Sequence, residues 1–192
     1  GSEMCIRDRK YGVELLVCSS LNRNSGTMVR EKTKMEKMLI SGVAADKNVA
    51  KIRVAGLGND PESTFRLLNL LDRNNLNIDV MIQSLGKDGT KSVSFTVAKP
   101  DMLRTIDVLN DNKDLLGIKK LDYDENVAKV SVIGAGVRSH SGVAAKMFGA
   151  LANAGINTEM VTTSEIRITA LIDEAYADQA MRAIHETLSL IH

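Results

Sequence analysis

Aromatic side chains are scarce in this chain. They make up 3% of its 192 residues, and none is tryptophan. Single-stranded nucleic acids are held by stacking bases on aromatic faces, so composition argues against that class of partner. An excess of one charge is missing too. Lys and Arg total 25, Asp and Glu total 24, and the formal net charge is +1. No overall field draws such a chain to DNA or to an anionic membrane. No apolar run reaches the roughly 18 residues of a membrane span, and no secretory leader pattern is present. The two cysteines, Cys5 and Cys18, form neither a CxxC pair nor part of a metal-ligand cluster. These absences describe a disulfide-free, cytoplasmic protein. The rest is ordinary: 44% hydrophobic and 26% charged residues fit a folded chain of one large domain or two small ones.

Residues 1–9 have no apolar period and read as a tag or artefact. From Lys10 the pattern changes. Tyr11 to Ser20 reads as a helix end, a Gly turn and a short apolar strand of the kind buried in a larger sheet. Residues 10–29 are therefore expected to be the tail of a preceding domain. Leu21 to Lys37 is polar and reads as a linker, most clearly over 30–37.

The most informative feature is a duplication. Asp46-Lys47-Asn48-Val49-Ala50-Lys51 matches Asp124-Glu125-Asn126-Val127-Ala128-Lys129 at an offset of 78 residues, and the match continues to Gly56 and Gly134. Asn77-Ile78-Asp79 matches Asn157-Thr158-Glu159 at an offset of 80. So long a period means two copies of a small domain, not a solenoid. In the first copy, Lys51–Val54 alternates as a half-buried strand, and Asp60-Pro61 caps and opens a helix. Phe65, Leu68 and Leu71 are its expected buried stripe, and Asn74 and Asn75 end it. Strands are expected at 78–85 and 91–97 around a Gly86–Gly89 turn. A helix with Leu103, Ile106 and Leu109 inward comes next, then a strand at 118–123. The second copy repeats strand, helix, two strands and helix over 128–188. Its inward positions are Ala144, Met147, Phe148 and Leu151, then Ala177, Met181, Ile184 and Leu188. Its fourth strand is missing, and residues 38–47 stand in the right place to supply it.

The expected fold is α+β: tandem ferredoxin-like βαββαβ units, the first (48–123) inserted within the second (38–47 with 124–192). This layout hosts many functions. The central strands carry one Phe, which makes no RNA platform, and Gly58-Asn59-Asp60 holds no Cys pair for a metal. A pair of small-molecule sensor domains remains, with a helix N-terminus suited to a carboxylate.

Val127 to Ala145 and Ala154 to Ile168 closely resemble the regulatory region of aspartate kinases (aspartokinases). The resemblance extends over Ile40–Lys51, Asn77–Gln83 and Ala183–Leu188, and is weakest before Met38 and in Gly58–Asp72. Lys10–Val29 resembles the end of the kinase catalytic domain, with Cys18 where the family usually has Arg. The resemblance implies tandem ACT domains that bind lysine, threonine or both and inhibit the kinase allosterically. It implies that Mg-ATP and aspartate, and every catalytic residue, belong to the full enzyme. No catalytic, metal-binding or cofactor-binding residue is expected in this chain, which on that reading turns over no substrate alone. The implied partners are the effector amino acids, a kinase domain or subunit, and a second copy paired through ACT units. Met28, Met35 and Met38 are candidate internal starts for a separate regulatory subunit.

The resemblance assigns effector contacts to Asn59, Asp60, Asn77, Ile78, Asp79 and Gln83 in the first unit. In the second it assigns Gly142, Ala144, Asn157, Thr158 and Ser164. The first loop departs from the family's Asp-x-Pro-Gly pattern: the acidic position falls on Asn59, and Glu62 replaces Gly, where its charge opposes a ligand carboxylate. That departure predicts altered effector binding in the first unit. In the second unit Ser141 stands for Pro and can still cap the helix, while His140 reads as a loop residue and His185 as packing beside a helix stripe. Two alternatives stay open: a stand-alone sensing subunit, and a structural dimerisation module without a live site.

Overall fold

A computed structural model describes residues 15–17, 27–29 and 40–189, apart from 136 and 138–141. The readings of residues 1–9, Cys18, the linker 30–37, the candidate starts Met35 and Met38, and His140 and Ser141 lie outside them. The N-terminal 39 residues form a unit of their own. Within it, β1 (Leu15–Val17) pairs antiparallel with β2 (Thr27–Val29). The strand β2 falls at the end of residues 10–29, within the polar stretch from Leu21, where Thr-Met-Val is short but β-prone enough to pair.

In the larger body, β3 (Gly42–Asp46) leads through Lys47-Asn48 into β4 (Val49–Leu57). Asp60 caps α1 (Pro61–Arg73), with proline in its first turn, and Asn74 closes it. The hairpin β5 (Met81–Leu85) and β6 (Lys91–Ala98) follows, then α2 (Met102–Asp111), the short α3 (Lys113–Leu116) and β7 (Lys120–Asp124). The second half runs through β8 (Val127–Ile133), α4 (Gly142–Asn153), β9 (Met160–Thr163), β10 (Arg167–Asp173) and α5 (Ala177–Ser189).

These strands build two four-stranded antiparallel sheets, ordered β5-β6-β4-β7 and β3-β8-β10-β9. The strand β3 pairs with β8 from Gly42↔Ile133 to Asp46↔Lys129, and all of the other sheet is made from chain lying between them. At Gly56 the ladder of β4 slips by a bulge. This glycine has a φ of 85°, and an added Cβ would fall 2.5 Å from Lys119 Cβ, so only glycine fits.

Each sheet carries helices on one face. Ala50, Ile52, Val54, Val93 and Phe95 pack beneath α1 and α2; Ala128, Val130, Ile168, Ala170 and Ile172 pack beneath α4 and α5. Two expected stripes are shifted. Phe65 and Leu103 are 65% and 67% exposed. The buried positions are Ser63, Leu67 and Leu71 on α1, and Met102, Thr105 and Leu109 on α2. Small polar groups occupy apolar-face positions because each finds a local partner. Ser63 Oγ donates to Asp60 Oδ2, and Thr105 Oγ1 donates to the Asp101 carbonyl at 2.7 Å. The strand expected at 78–85 becomes regular only at Met81: before it Asp79 and Val80 both face Thr96, whose carbonyl accepts the Asp79 N–H at 3.1 Å and whose hydroxyl accepts the Val80 N–H at 3.0 Å. Among the described residues no helix is long and apolar enough to cross a membrane.

Candidate functional site

The repeated Asp-x-Asn motif makes the two crossings between sheets. Asp46 Oδ1 accepts the Asn48 N–H and Asp124 Oδ1 accepts the Asn126 N–H, both at 2.8 Å. These are two copies of one Asx turn. They bring the starts of β4 and β8 together, on the sheet faces that carry no helix. A third apolar cluster forms there from Val49, Val127, Met160 and Leu171, with Val80 and Ile82 against it.

Around this cluster the ion pairs are reciprocal. Lys51 of the first unit pairs with Glu159 of the second, and Lys129 of the second pairs with Asp79 of the first. Lys129 also lies 3.5 Å from Asp46, and Lys99 bridges to Glu174 at 3.3 Å. Burying an aliphatic side chain is worth about 1.5–3 kcal/mol, against about 0–1 kcal/mol for a partly exposed ion pair. The apolar cluster therefore holds the units together, and the paired charges fix their register.

Two cavities flank the Lys129–Asp79 pair. One, of about 230 Å³, is lined by Asp79 and Lys129, by the hydroxyls of Ser131, Thr162 and Thr169, and by Ser164 and Arg167. Ser131 and Thr169 are buried and hydrogen-bonded to one another at 2.8 Å. The other, of about 430 Å³, is more acidic, with Asp46, Asp79 and Asp101 facing Lys129, and it includes Asn77 and Ile78.

A separate cluster sits at the start of α1. Asp60 Oδ1 accepts the N–H groups of Glu62 (3.0 Å) and Ser63 (2.9 Å). The Ser63 hydroxyl, foremost, holds the Asp60 carboxyl below its ordinary pKa. Lys91 Nζ donates to the Asp60 carbonyl at 2.8 Å, and Thr64 Oγ1 donates to Gln83 Oε1 at 2.6 Å. Glu62 is answered within the helix by Arg66 at 2.5 Å.

The candidate residues thus fall into groups. Asp60 caps α1, with Asn59 just before it, and Gln83 is tied to the same helix through Thr64. Asn77, Ile78 and Asp79 share one cavity, and Asp79 and Ser164 share the other. Gly142 opens α4, and Ala144 packs partly buried against the second core. Asn157 and Thr158 lead into β9, where the Glu159 N–H donates to the Leu171 carbonyl at 2.9 Å. His185 is exposed and lines a shallow hollow beside Val43 and Met181. Among the described residues no group of three His, Cys, Asp or Glu side chains is placed to hold a metal ion. Sequence reasoning missed Arg167, Lys51 and Lys129 as site residues. The signal was present in the repeat: Lys51 and Lys129 are equivalent, as are Asp79 and Glu159.

The fold is a tandem of ferredoxin-like α+β units of the ACT type, and residues 130–188 match the family model of the ACT domain. The chain is 36% identical over 184 residues to the aspartokinase of Pseudomonas aeruginosa, covering 94% of this chain and 45% of that protein. It is 38% identical over 187 residues to the aspartokinase of Helicobacter pylori, covering 95% and 46%. Among solved structures it is similar to the aspartokinase alpha and beta subunits (41% identity, TM-score 0.74), over 78% of this chain and 99% of that one. The ligand-free regulatory subunit of aspartate kinase from Thermus thermophilus matches at 32% identity and TM-score 0.73, over 78% and 98%. This chain belongs to the aspartokinase family and corresponds to its regulatory region. It spans slightly less than half the length of the curated relatives it matches.

Proposed function

We propose that this chain is the amino-acid-sensing part of an aspartate kinase, binding lysine and/or threonine and biasing its kinase partner toward an inactive state. The observation that carries this reading is the meeting of both units around Lys129 and Asp79, where cavities lie between sheets that a ligand can draw together or spread. Asn59, Asp60, Asn77, Ile78, Asp79 and Gln83 serve the first unit. Gly142, Ala144, Asn157, Thr158 and Ser164 serve the second. Residues 48–123 form one ACT unit, inserted within the unit made of 38–47 and 124–192. Phosphorylation of aspartate by Mg-ATP belongs to the part of the longer relatives that this chain does not match. A second copy pairs through sheet edges such as β5, where Met81 and Leu85 are exposed.

For regulation, the ligand must prefer the inactive arrangement; a tenfold preference is about 1.4 kcal/mol. The test is thermal unfolding of the chain with lysine, threonine, both, and methionine. At 100 times its dissociation constant a ligand adds about 2.7 kcal/mol of stability. Stabilisation by lysine or threonine supports the sensor reading. Stabilisation by none of them points to a dimerisation module without a live site.

A further inference from the structure

Across the contact between the two units, side chains pair as they do about a twofold axis. Lys51 and Lys129 hold equivalent places in the repeat, as do Asp79 and Glu159, and each lysine meets the acid of the other unit. Such reciprocity is the signature of an isologous contact. Val49 and Val127, also equivalent, are both buried in it. On an interface of this kind a residue meets its own equivalent only at the axis. Lys99 and Glu174 are that case. Each opens a short helical turn after equivalent strands, Lys99–Asp101 after β6 and Glu174–Tyr176 after β10. Each donates its backbone N–H to the carbonyl of a crossing asparagine, Lys99 to Asn48 at 3.3 Å and Glu174 to Asn126 at 2.9 Å. Their side chains meet one another, part-buried, with Lys99 Nζ 3.4 and 3.3 Å from the two carboxylate oxygens.

The two kinds of pair differ in what they can select. Two first units placed on this interface would match Lys51 with Asp79, and two second units would match Lys129 with Glu159. The reciprocal bridges therefore form in any combination and favour none. At the axis, two first units bring Lys99 against Lys99, and two second units bring Glu174 against Glu174. Only unlike units bring opposite charges together there. We infer that the Lys99–Glu174 pair is the element by which this face accepts an unlike unit of its own kind and rejects a like one. Like charges forced together in a part-buried contact repel, and interfaces exclude wrong partners in this way. The face is thereby closed within one chain, and a second copy is left to pair through other surfaces. The inference rests on the interface alone and is independent of any ligand.

Charge reversal in the full chain tests this, because each reversal rebuilds within one chain the axis of a like pairing. Glu174→Lys places two lysines there, and Lys99→Glu places two glutamates. Thermal unfolding at low salt is read for both. It is also read for the exchange, Lys99→Glu with Glu174→Lys, and for the neutral pair, Lys99→Gln with Glu174→Gln. Each reversal is expected to lower the midpoint by about 2–4 °C. The neutral pair is expected to fall between the parent and the reversals, and the exchange to match the parent. In about 1 M salt, where the Debye length is about 3 Å, the reversals are expected to rise to the neutral pair. A reversal as stable as the neutral pair at low salt overturns the inference, as does a deficit that salt leaves unchanged. Should a reversal not fold, the other two chains decide: an exchange more stable than the neutral pair supports the inference, and one less stable overturns it.

Discussion

The two units reach one strand order by different packing. The first fills its core with large side chains: Leu57, Leu67, Leu71, Phe95 and Leu109 are all fully buried. The second mixes five alanines, Ala128, Ala150, Ala170, Ala177 and Ala180, with Met147, Leu151, Ile172 and Ile184. The consequence is visible in the helices. Helices α4 and α5 approach backbone to backbone, while α1 and α2 stay apart over their leucines. A shared topology thus constrains pattern and register, and leaves the distance between layers to side-chain volume.

The sharpest way to break this contrast is to empty the first core. Phe95→Ala is expected to cost about 3–5 kcal/mol by the cavity it leaves, read from denaturant midpoints. The converse change fills the second core. Ala180→Leu is expected to cost about 1–3 kcal/mol through overpacking, whereas Leu103→Ala, on the exposed side of α2, stays within about 0.5 kcal/mol. The reciprocal bridges sharpen the comparison of charges. A double-mutant cycle on Lys129 and Asp79 is expected to yield a coupling of about 0.2–1 kcal/mol, and the cycle on Lys51 and Glu159 a coupling in the same range. In each bridge the lysine is the less exposed partner, 16% against 58% for Lys129–Asp79 and 24% against 37% for Lys51–Glu159. The smallest effect concerns pH. Because the folded-state pKa of Asp60 is lowered, its contribution is complete above the unfolded value of about 3.9 and is lost as pH falls through the folded value. Asp60→Asn, which keeps a capping oxygen, is expected to flatten that part of an acid-unfolding profile.

Much of the fold was legible because duplication made each element appear twice. The Asp-x-Asn crossings, the Asp60 cap and the hairpin turn at Gly86–Gly89 are local chemistry, and local chemistry is written in adjacent residues. The expected stripes of α1 and α2 matched at Leu71 and Leu109 and were displaced by one or two positions before them. Hydrophobicity alone selected Phe65 and Leu103, and missed that Ser63 and Thr105 can be buried once Asp60 and the Asp101 carbonyl satisfy them. Of the candidate site, the stretch Asn77–Asp79 and Ser164 were readable by resemblance. Arg167 and the Lys129–Asp79 pair were not, because their meaning depends on two sheets facing one another across 50 residues of chain.

The pairing of β3 with β8 has a consequence for folding order. These strands meet only across a loop of some eighty residues, and closing a loop that long in an unfolded chain is slow and entropically costly. The difficulty is removed where the intervening chain folds first. Its own first and last strands are neighbours, with Lys51 opposite Asp124, so completing that sheet delivers the ends of β3 and β8 side by side. On that order the sheet β5-β6-β4-β7 serves as a template for the β3–β8 ladder. Substitutions that slow its folding should therefore slow the assembly of a sheet to which it contributes no strand.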